Sequence, residues 1–306
     1  MSFKSILIVF GLSCVVRSTY SEGVCKSPLS AIPPDPATNC CGIQAYTSYK
    51  LFGGTTAGTD QYPWVVLIEY LTKENVTKTA GCQGVLISGQ YVVTAGHCVN
   101  TKLNFGTPTN IILGEYDTSQ EGPDCVSLSD GEDCTEGAIK IPIEATILHP
   151  EYKKRPTNIN DIGLIKMKSV APYTDFIRPI CLPTEDVTKK TGDFSLTESS
   201  WGSLEEEQGL NHKKQFVNVP YLTKNACETL FENKFKLDKG HLCAGGKDAK
   251  AFCRGNSGSP LMNEKNNKHE LVGLTSFGYS SCNLKFPTVY TNVYEYIPWI
   301  KNTISV

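Results

Sequence analysis

From Leu51 onward the chain consists of short segments rich in Val, Ile, Tyr and Thr, which Gly, Pro, Asn and Asp separate. Examples are "PWVVLIEYL", "YVVTA", "IKIPIEATILH" and "HELVGLTSF". Segments of this composition and spacing are typical of an all-β sandwich or barrel. Helical periodicity is scarce, and the best helix candidate is "VYEYIPWIKNTI" near the C-terminus, where Tyr296, Ile297 and Ile300 fall roughly on one side.

The first residues have the pattern of a secretory signal. An early Lys4 precedes the apolar run "ILIVFGLSCVV", and small residues lead up to Ser21. This pattern predicts a signal peptide over residues 1–21, cleaved after Ser21, and therefore a secreted, extracellular protein. The apolar run is too short to cross a bilayer core of about 30 Å, so we expect no membrane anchor. The "NVT" at Asn75 is an acceptor for N-glycosylation, which agrees with secretion.

Cysteines are frequent for a chain of 306 residues. Removal of the signal takes away Cys14 and leaves twelve of the thirteen cysteines, an even number that predicts six disulfides in an oxidising compartment. We do not expect zinc, because no CxxC pair has a matching HxxxH partner. The formal net charge of −2 gives no indication of nucleic acid or an anionic membrane as partner. Residues 22–50 are rich in Pro and Ser and lack apolar periodicity, so we interpret them as an irregular segment before a domain at 51–306.

Three separate stretches carry residue types that acyl transfer requires. His97 in "VVTAGHC" follows an apolar strand, Asp161 in "INDIGLIKM" precedes another, and Ser257 in "CRGNSGSP" lies on a Gly-flanked turn. Each stretch alone has an ordinary structural explanation, since a lone His, a turn Asp and a Gly-Ser loop are common. Their joint occurrence, with cysteines near two of them, predicts a nucleophile, a base and a group that orients the base.

These motifs resemble those of the chymotrypsin-like, trypsin-fold serine proteases. The similar stretches between Leu51 and about Ile304 include "LFGG", "TAGHC", "DIGL", "SSWG", "LCAGG", "GNSGSP" and "PTVYTNV". The resemblance implies an all-β fold of two six-stranded antiparallel β-barrels with a C-terminal helix. "LGEYD", the cysteine-closed loop after it and "PICLP" are similar, more narrowly, to arthropod clip-domain proteases of extracellular immune cascades. Only Cys25, Cys40 and Cys41 precede the domain in the mature chain, so we expect at most a remnant of a clip module.

The resemblance also implies a set of disulfides. The pairs are Cys82–Cys98, Cys227–Cys243, Cys253–Cys282, Cys41–Cys181, Cys125–Cys134 and Cys25–Cys40. The Cys41–Cys181 bond would tether the N-terminal segment to the protease domain as a light chain. The division of Cys40 and Cys41 between their partners rests only on a Cys-Gly match and stays open.

By the same resemblance, Ser257 is the nucleophile, His97 the general base and acid, and Asp161 the group that orients His97. The backbone N–H groups of Gly255 and Ser257 would form the oxyanion hole.

Proteases of this family are made as zymogens, and here the activating cut would fall between Lys50 and Leu51. The freed N-terminus then pairs with an aspartate immediately before the nucleophile, a position that Asn256 occupies in this chain. An unpaired buried ammonium costs several kcal/mol, so the ordered fraction of the site would fall. Two alternatives are open: the N-terminus stays deprotonated, or another carboxylate reaches it.

The specificity pocket departs from the trypsin pattern. Ala251 stands where an aspartate would bind basic side chains, with Phe252 beside it, and Thr288 replaces a glycine across the pocket from Ser276 and Gly278. An Arg or Lys side chain would therefore lose its hydration without gaining a partner, and we expect a preference for small or modest apolar residues. Ser259 also replaces the usual second glycine of the nucleophile loop.

The sequence thus predicts a secreted serine endopeptidase made as a zymogen and acting in an innate-immunity type of cascade. The alternative is a weak or inactive homologue that binds other proteins as a cofactor. The expected partners are a protein substrate, an upstream activating protease and a serpin-type inhibitor. No cofactor is expected, although Glu115 matches the start of a calcium loop in some relatives; a solvated acidic loop is the other interpretation.

Overall fold

Two closed barrels make up the computed structural model, which describes residues 30–45, 56–102, 106–128, 131–153, 157–203, 211–246, 249, 252, 254–279 and 285–305. The elements in chain order are β1 (Val65–Leu71), β2 (Thr77–Leu86), β3 (Tyr91–Thr94), α1 (Gly96–Val99), β4 (Thr107–Leu113), β5 (Cys125–Leu128), β6 (Gly131–Cys134), β7 (Ile139–Leu148), β8 (Gly163–Met167), β9 (Ser195–Ser200), β10 (Gln215–Leu222), α2 (Lys224–Leu230), β11 (His241–Gly245), β12 (Pro260–Lys265), β13 (Lys268–Phe277), β14 (Pro287–Asn292) and α3 (Ile297–Ile304).

The first barrel is built from the apolar segments in the N-terminal half of the domain. Its strands follow the order β1-β2-β3-β8-β7-β4, and all the pairings are antiparallel. Ile68, Tyr70, Ile111 and Leu164 are fully buried in its core. Val, Ile and Tyr pack well on a pleated surface that is closed on itself, which is why these segments form a barrel.

The second barrel has the order β10-β11-β14-β13-β12-β9, again antiparallel throughout. Its core includes Leu196, Val219, Leu242 and Tyr290. The prediction of two six-stranded antiparallel barrels is therefore confirmed. β5 and β6 form a separate two-stranded hairpin, in the acidic loop that Cys125 and Cys134 close.

Helices contribute little, as the sequence predicts. The C-terminal candidate forms a 3-10 turn at Val293–Tyr296 followed by α3, whose Ile300 and Ile304 are buried. Helix α2 has no long apolar period and was not predicted. The sequence feature that indicates this helix is its N-cap residue Thr223, whose side chain accepts a hydrogen bond from Ala226 N.

The structure contains four of the expected disulfides: Cys41–Cys181, Cys82–Cys98, Cys125–Cys134 and Cys227–Cys243. The Cys25–Cys40 and Cys253–Cys282 pairs each include a residue outside the described ranges.

The described part of the N-terminal segment lies against the second barrel. Gly42 N donates to Pro179 O, and Lys268 Nζ donates to Thr38 O at 2.6 Å. Within the ranges that the structure describes, no helix is long and apolar enough to span a membrane.

Candidate active site

His97 and Asp161 meet at the edge of the first barrel. His97 lies in α1, directly after β3, and Asp161 comes just before β8. His97 Nδ1 lies 2.8 Å from Asp161 Oδ2, and His97 N donates to Asp161 Oδ1 at 2.8 Å. Gly96 permits this approach, since a Cβ on it would lie 2.9 Å from Ile162 N. The two carboxylate oxygens thus hold both the backbone and the ring of His97.

The Asp161 carboxylate is buried, with 1% of the residue exposed. Ser276 Oγ on β13 donates to the same Oδ2 that His97 contacts, and Thr291 Oγ1 on β14 donates to Asp161 O at 2.7 Å. The second barrel therefore anchors an aspartate that the first barrel carries. A buried carboxylate held by these donors favours a proton on His97 Nδ1, so Nε2 is the ring nitrogen that accepts a proton during catalysis.

Ser257 lies on a tight turn between the barrels. Gly255 has φ +75° and Gly258 has φ +78°, conformations that glycine adopts without strain. Gln83 N donates to Ser257 O at 2.8 Å, and Cys98 Sγ lies 3.7 Å from the same oxygen. The turn thus rests on the Cys82–Cys98 disulfide, and Cys98 is the residue that follows His97.

Further hydrogen bonds hold the turn in place. Gly258 N donates to Thr275 O, and Ser259 N donates to Asn256 O. The Gln83 side chain donates to Gly255 O at 2.8 Å and to Ser200 Oγ at 2.7 Å. Sequence reasoning did not identify Gln83, because a glutamine in "GCQGVL" carries no signal of such a contact.

The expected pocket residues lie in different environments. A Cβ on Gly278 would lie 3.7 Å from Thr288 Oγ1, so these two residues are neighbours. Ser276 contacts Asp161. Phe252, expected as a lining residue, is 3% exposed and packs in the apolar core of the second barrel. Ala251, Lys50 and Leu51 lie outside the described residues.

Asn256 contacts a carboxylate that sequence reasoning missed. Asn256 Nδ2 donates at 2.9 Å to Oε1 of Glu198, a fully buried residue on β9. Ser259 Oγ and Thr275 Oγ1 donate to the same oxygen, and the Tyr290 hydroxyl donates to Oε2. Burial raises the pKa of Glu198, although these four hydrogen bonds oppose the shift.

A second buried charge lies near Glu115. Lys214 is 2% exposed, and burial lowers its pKa to about 8, although Asp60, Glu115 and Asp124 act in the opposite direction. Its Nζ lies 5.7 Å from the centre of the Trp201 ring. The negative charges of Asp60, Glu115 and Asp124 thus favour the protonated form of Lys214, and the calcium interpretation of Glu115 stays a prediction.

The predicted glycosylation acceptor Asn75 lies between β1 and β2. It is exposed and has φ +58°, a conformation that asparagine tolerates.

Comparisons with known proteins agree with this geometry. The Trypsin family model matches residues 51–300. A phenoloxidase-activating enzyme from Bombyx mori is 46% identical over 297 aligned residues, covering 92% of this chain and 66% of that protein. The serine protease ea from Drosophila melanogaster is 38% identical over 274 residues, covering 84% of this chain and 68% of that protein.

Solved structures give the same result. A crystal structure of the Drosophila Grass clip serine protease of the Toll pathway has a TM-score of 0.73 and 27% identity, covering 88% of this chain and 76% of that chain.

The chain spans just under two thirds of the length of its Bombyx mori relative. A CLIP domain-containing serine protease of Anopheles gambiae is also 39% identical over 277 residues, covering 85% of this chain and 67% of that protein. The chain therefore belongs to the trypsin family of serine proteases, and its relatives include arthropod clip-domain serine proteases.

Proposed function

We propose that the protein is a secreted serine endopeptidase, made as a zymogen and activated by cleavage between Lys50 and Leu51. The observation that carries this proposal is the contact of 2.8 Å between His97 Nδ1 and a buried Asp161 carboxylate, beside the turn that bears Ser257. A buried imidazole–carboxylate pair next to a Gly-flanked serine is the arrangement that nucleophilic acyl transfer needs.

The chemistry follows from the protonation states of the triad. Ser257 Oγ attacks the carbonyl carbon of the scissile peptide bond, and its proton passes to His97 Nε2. Asp161 stabilises the imidazolium that forms, and the N–H groups of Gly255 and Ser257 stabilise the oxyanion. His97 then returns the proton to the leaving amine, and a water molecule repeats the sequence to release the acyl group from Ser257.

We propose that this enzyme cleaves after small or modest apolar residues. Thr288 Oγ1 would lie 3.7 Å from a Cβ on Gly278, so the threonine fills space beside this glycine, and the sequence has Ala251 where a carboxylate would bind Arg or Lys. A panel of peptides that differ in the residue before the cleaved bond tests this preference. Efficient cleavage after Arg would contradict it.

The proposed biological setting is an extracellular proteolytic cascade of the innate-immunity type. The relatives named above include a phenoloxidase-activating enzyme, and another relative, 35% identical, is the Spaetzle-processing enzyme of Drosophila melanogaster. In such a setting the partners of this chain are a protein substrate, an upstream activating protease and a serpin-type inhibitor.

A second candidate function is that of a weak or inactive homologue that binds other proteins as a regulator. Asn256 is the specific observation in its favour, since an amide at this position carries no charge to hold the nucleophile turn. The two candidates differ in whether Ser257 is reactive.

A fluorophosphonate probe distinguishes the two functions. The chain is expressed with an enteropeptidase recognition sequence ahead of Lys50, cleaved after that lysine, and treated with the probe. We expect labelling of the cleaved wild type, weak labelling of the uncleaved chain, and none of Ser257→Ala. A cleaved, folded and unlabelled wild type supports the binding homologue instead.

A further inference from the structure

Glu198 is a buried carboxyl group that the proposed catalytic steps do not use. It is fully buried on β9, and its four hydrogen-bond donors, Asn256, Ser259, Thr275 and Tyr290, are all neutral. Within the described ranges, no Lys, Arg or His forms an ion pair with it. Buried carboxylates in proteins are normally paired with a cation or bound to a metal. Glu198 differs from that norm, because the donors recorded for it in the described part of the chain are neutral.

The four donors connect Glu198 to the nucleophile turn. Asn256 and Ser259 lie on either side of Ser257, and both donate to the same carboxylate oxygen, at 2.9 Å and 3.0 Å. Thr275 donates to this oxygen as well, and its backbone O accepts the hydrogen bond of Gly258 N. A change in the charge or position of Glu198 is therefore transmitted to both sides of the nucleophile.

The side-chain oxygen of Asn256 can accept one more hydrogen bond. Its Nδ2 atom is used by Glu198, and among the residues that the structure describes none donates to its Oδ1. A cation that donated to Asn256 Oδ1 would lie one amide group away from the Glu198 carboxylate. The Glu198 carboxylate would attract this cation from the other side of the Asn256 amide, which Glu198 already holds in place.

We propose that Glu198 takes over the role of a carboxylate at position 256, holding the nucleophile turn through Asn256 and Ser259 and receiving the α-ammonium of Leu51. This inference rests on the proposed cleavage after Lys50, which generates that ammonium. Glu198 is then a positioning residue for Ser257. The charge pair of the family is not lost with Asn256, because Glu198 supplies the carboxylate and Asn256 connects it to the ammonium.

The reactivity of the Leu51 α-amine tests this proposal without any need for catalysis. Protein with Ser257→Ala is cleaved after Lys50, and the rate at which an acylating reagent modifies the new N-terminus is followed by mass spectrometry. Pairing with Glu198 protects the amine, so Glu198→Gln should raise this rate by about a hundredfold, the effect of losing a charge partner in a two-state equilibrium. Glu270→Gln is the matched control, because Glu270 is a buried glutamate of the same barrel that accepts a hydrogen bond from Thr184.

Moving the charge provides the second variant. The double variant Glu198→Gln with Asn256→Asp returns a carboxylate to position 256 and should recover the protection of the amine. In a Ser257 background it should also recover fluorophosphonate labelling that Glu198→Gln alone reduces. A purely structural role of Glu198 predicts instead that Glu198→Gln alone leaves the reactivity of the amine unchanged, so that nothing remains to be recovered.

Several results would overturn the proposal. These are equal amine reactivity in the wild type and Glu198→Gln, a folded double variant whose amine stays reactive, or failure of the double variant to fold. If Glu198→Gln alone does not fold, the test uses the double variant, which should fold and should have a slowly acylated Leu51 amine. A protected amine in a protein that the probe does not label would support the role of Glu198 and contradict the proposed protease function.

Discussion

The substitution Asn256→Asp probes the charge of the nucleophile turn most sharply. In the uncleaved chain it replaces the amide that lies 2.9 Å from Glu198 Oε1 by a second carboxylate. Two carboxylates in contact repel each other unless they share a proton. We therefore expect Asn256→Asp to destabilise the uncleaved chain, although it restores the residue that the family resemblance leads one to expect.

The size of the effect follows from the geometry. With charge centres about 4 Å apart and an effective dielectric constant of about 20, the repulsion is about 4 kcal/mol. Glu198 already has a raised pKa because of burial, and the second carboxylate raises the pKa of the pair further. Stability is therefore present at low pH, where the pair holds a proton, and is lost as the pH rises through the raised pKa of the folded pair.

Urea unfolding of the uncleaved Ser257→Ala protein measures this directly. The loss in unfolding free energy should be at most about 1 kcal/mol near about pH 5 and should approach about 4 kcal/mol near about pH 8. The matched control is Asn218→Asp on β10, because Asn218 is exposed and its Oδ1 accepts from Thr197 Oγ1, so the carboxylate keeps this contact. An Asn256→Asp penalty that is the same at both pH values, or no penalty at all, would refute the charge contact with Glu198.

Three further predictions concern the rest of the site. Gly258→Ala should cost at least about 2 kcal/mol in urea unfolding and reduce probe labelling, because φ is +78° and the new Cβ would lie 2.3 Å from Gln83 O. Ser276→Ala should lower kcat/KM of the cleaved enzyme by about tenfold without abolishing it, since it removes one charge-assisted hydrogen bond from Asp161. Thermal unfolding of the wild type should show stability rising as the pH goes from about 8 towards 10.5, because folded Lys214 releases its proton earlier than unfolded lysine does; Lys214→Met should lack this rise.

Much of the fold was predictable because its causes are local. The β-branched and aromatic segments that form the two barrels are visible in the sequence, and so is the C-terminal helix. The paired cysteines and the residues His97 and Asp161 could be identified because a short motif surrounds each of them.

The parts that were missed depend on long-range packing. Glu198 in "LTESSWG" reads as a polar residue of an edge strand, since glutamate is almost never fully buried. Its burial follows from the pairing of β9 with both β10 and β12, which brings Glu198 opposite Val217 and Leu261. Gln83 and Lys214 were missed for the same reason, because their partners lie far away along the chain.

Phe252 illustrates a limit of motif alignment. Its position next to Cys253 in the sequence indicates a pocket wall, but its side chain packs among apolar residues of the second barrel. The motif gives the place of the backbone, whereas the direction of a large apolar side chain depends on which core has room for it.

A burst titration reports whether Ser257 is acylated in the cleaved protein. Protein cleaved after Lys50 is mixed with a p-nitrophenyl ester of a small apolar amino acid, and the fast release of p-nitrophenol is compared with the amount of folded protein. We expect a burst of about one equivalent for the cleaved wild type, because Ser257 is acylated faster than it is deacylated, and no burst for Ser257→Ala. A cleaved, folded wild type that shows no burst would contradict the claim that Ser257, His97 and Asp161 form a working active site despite Asn256.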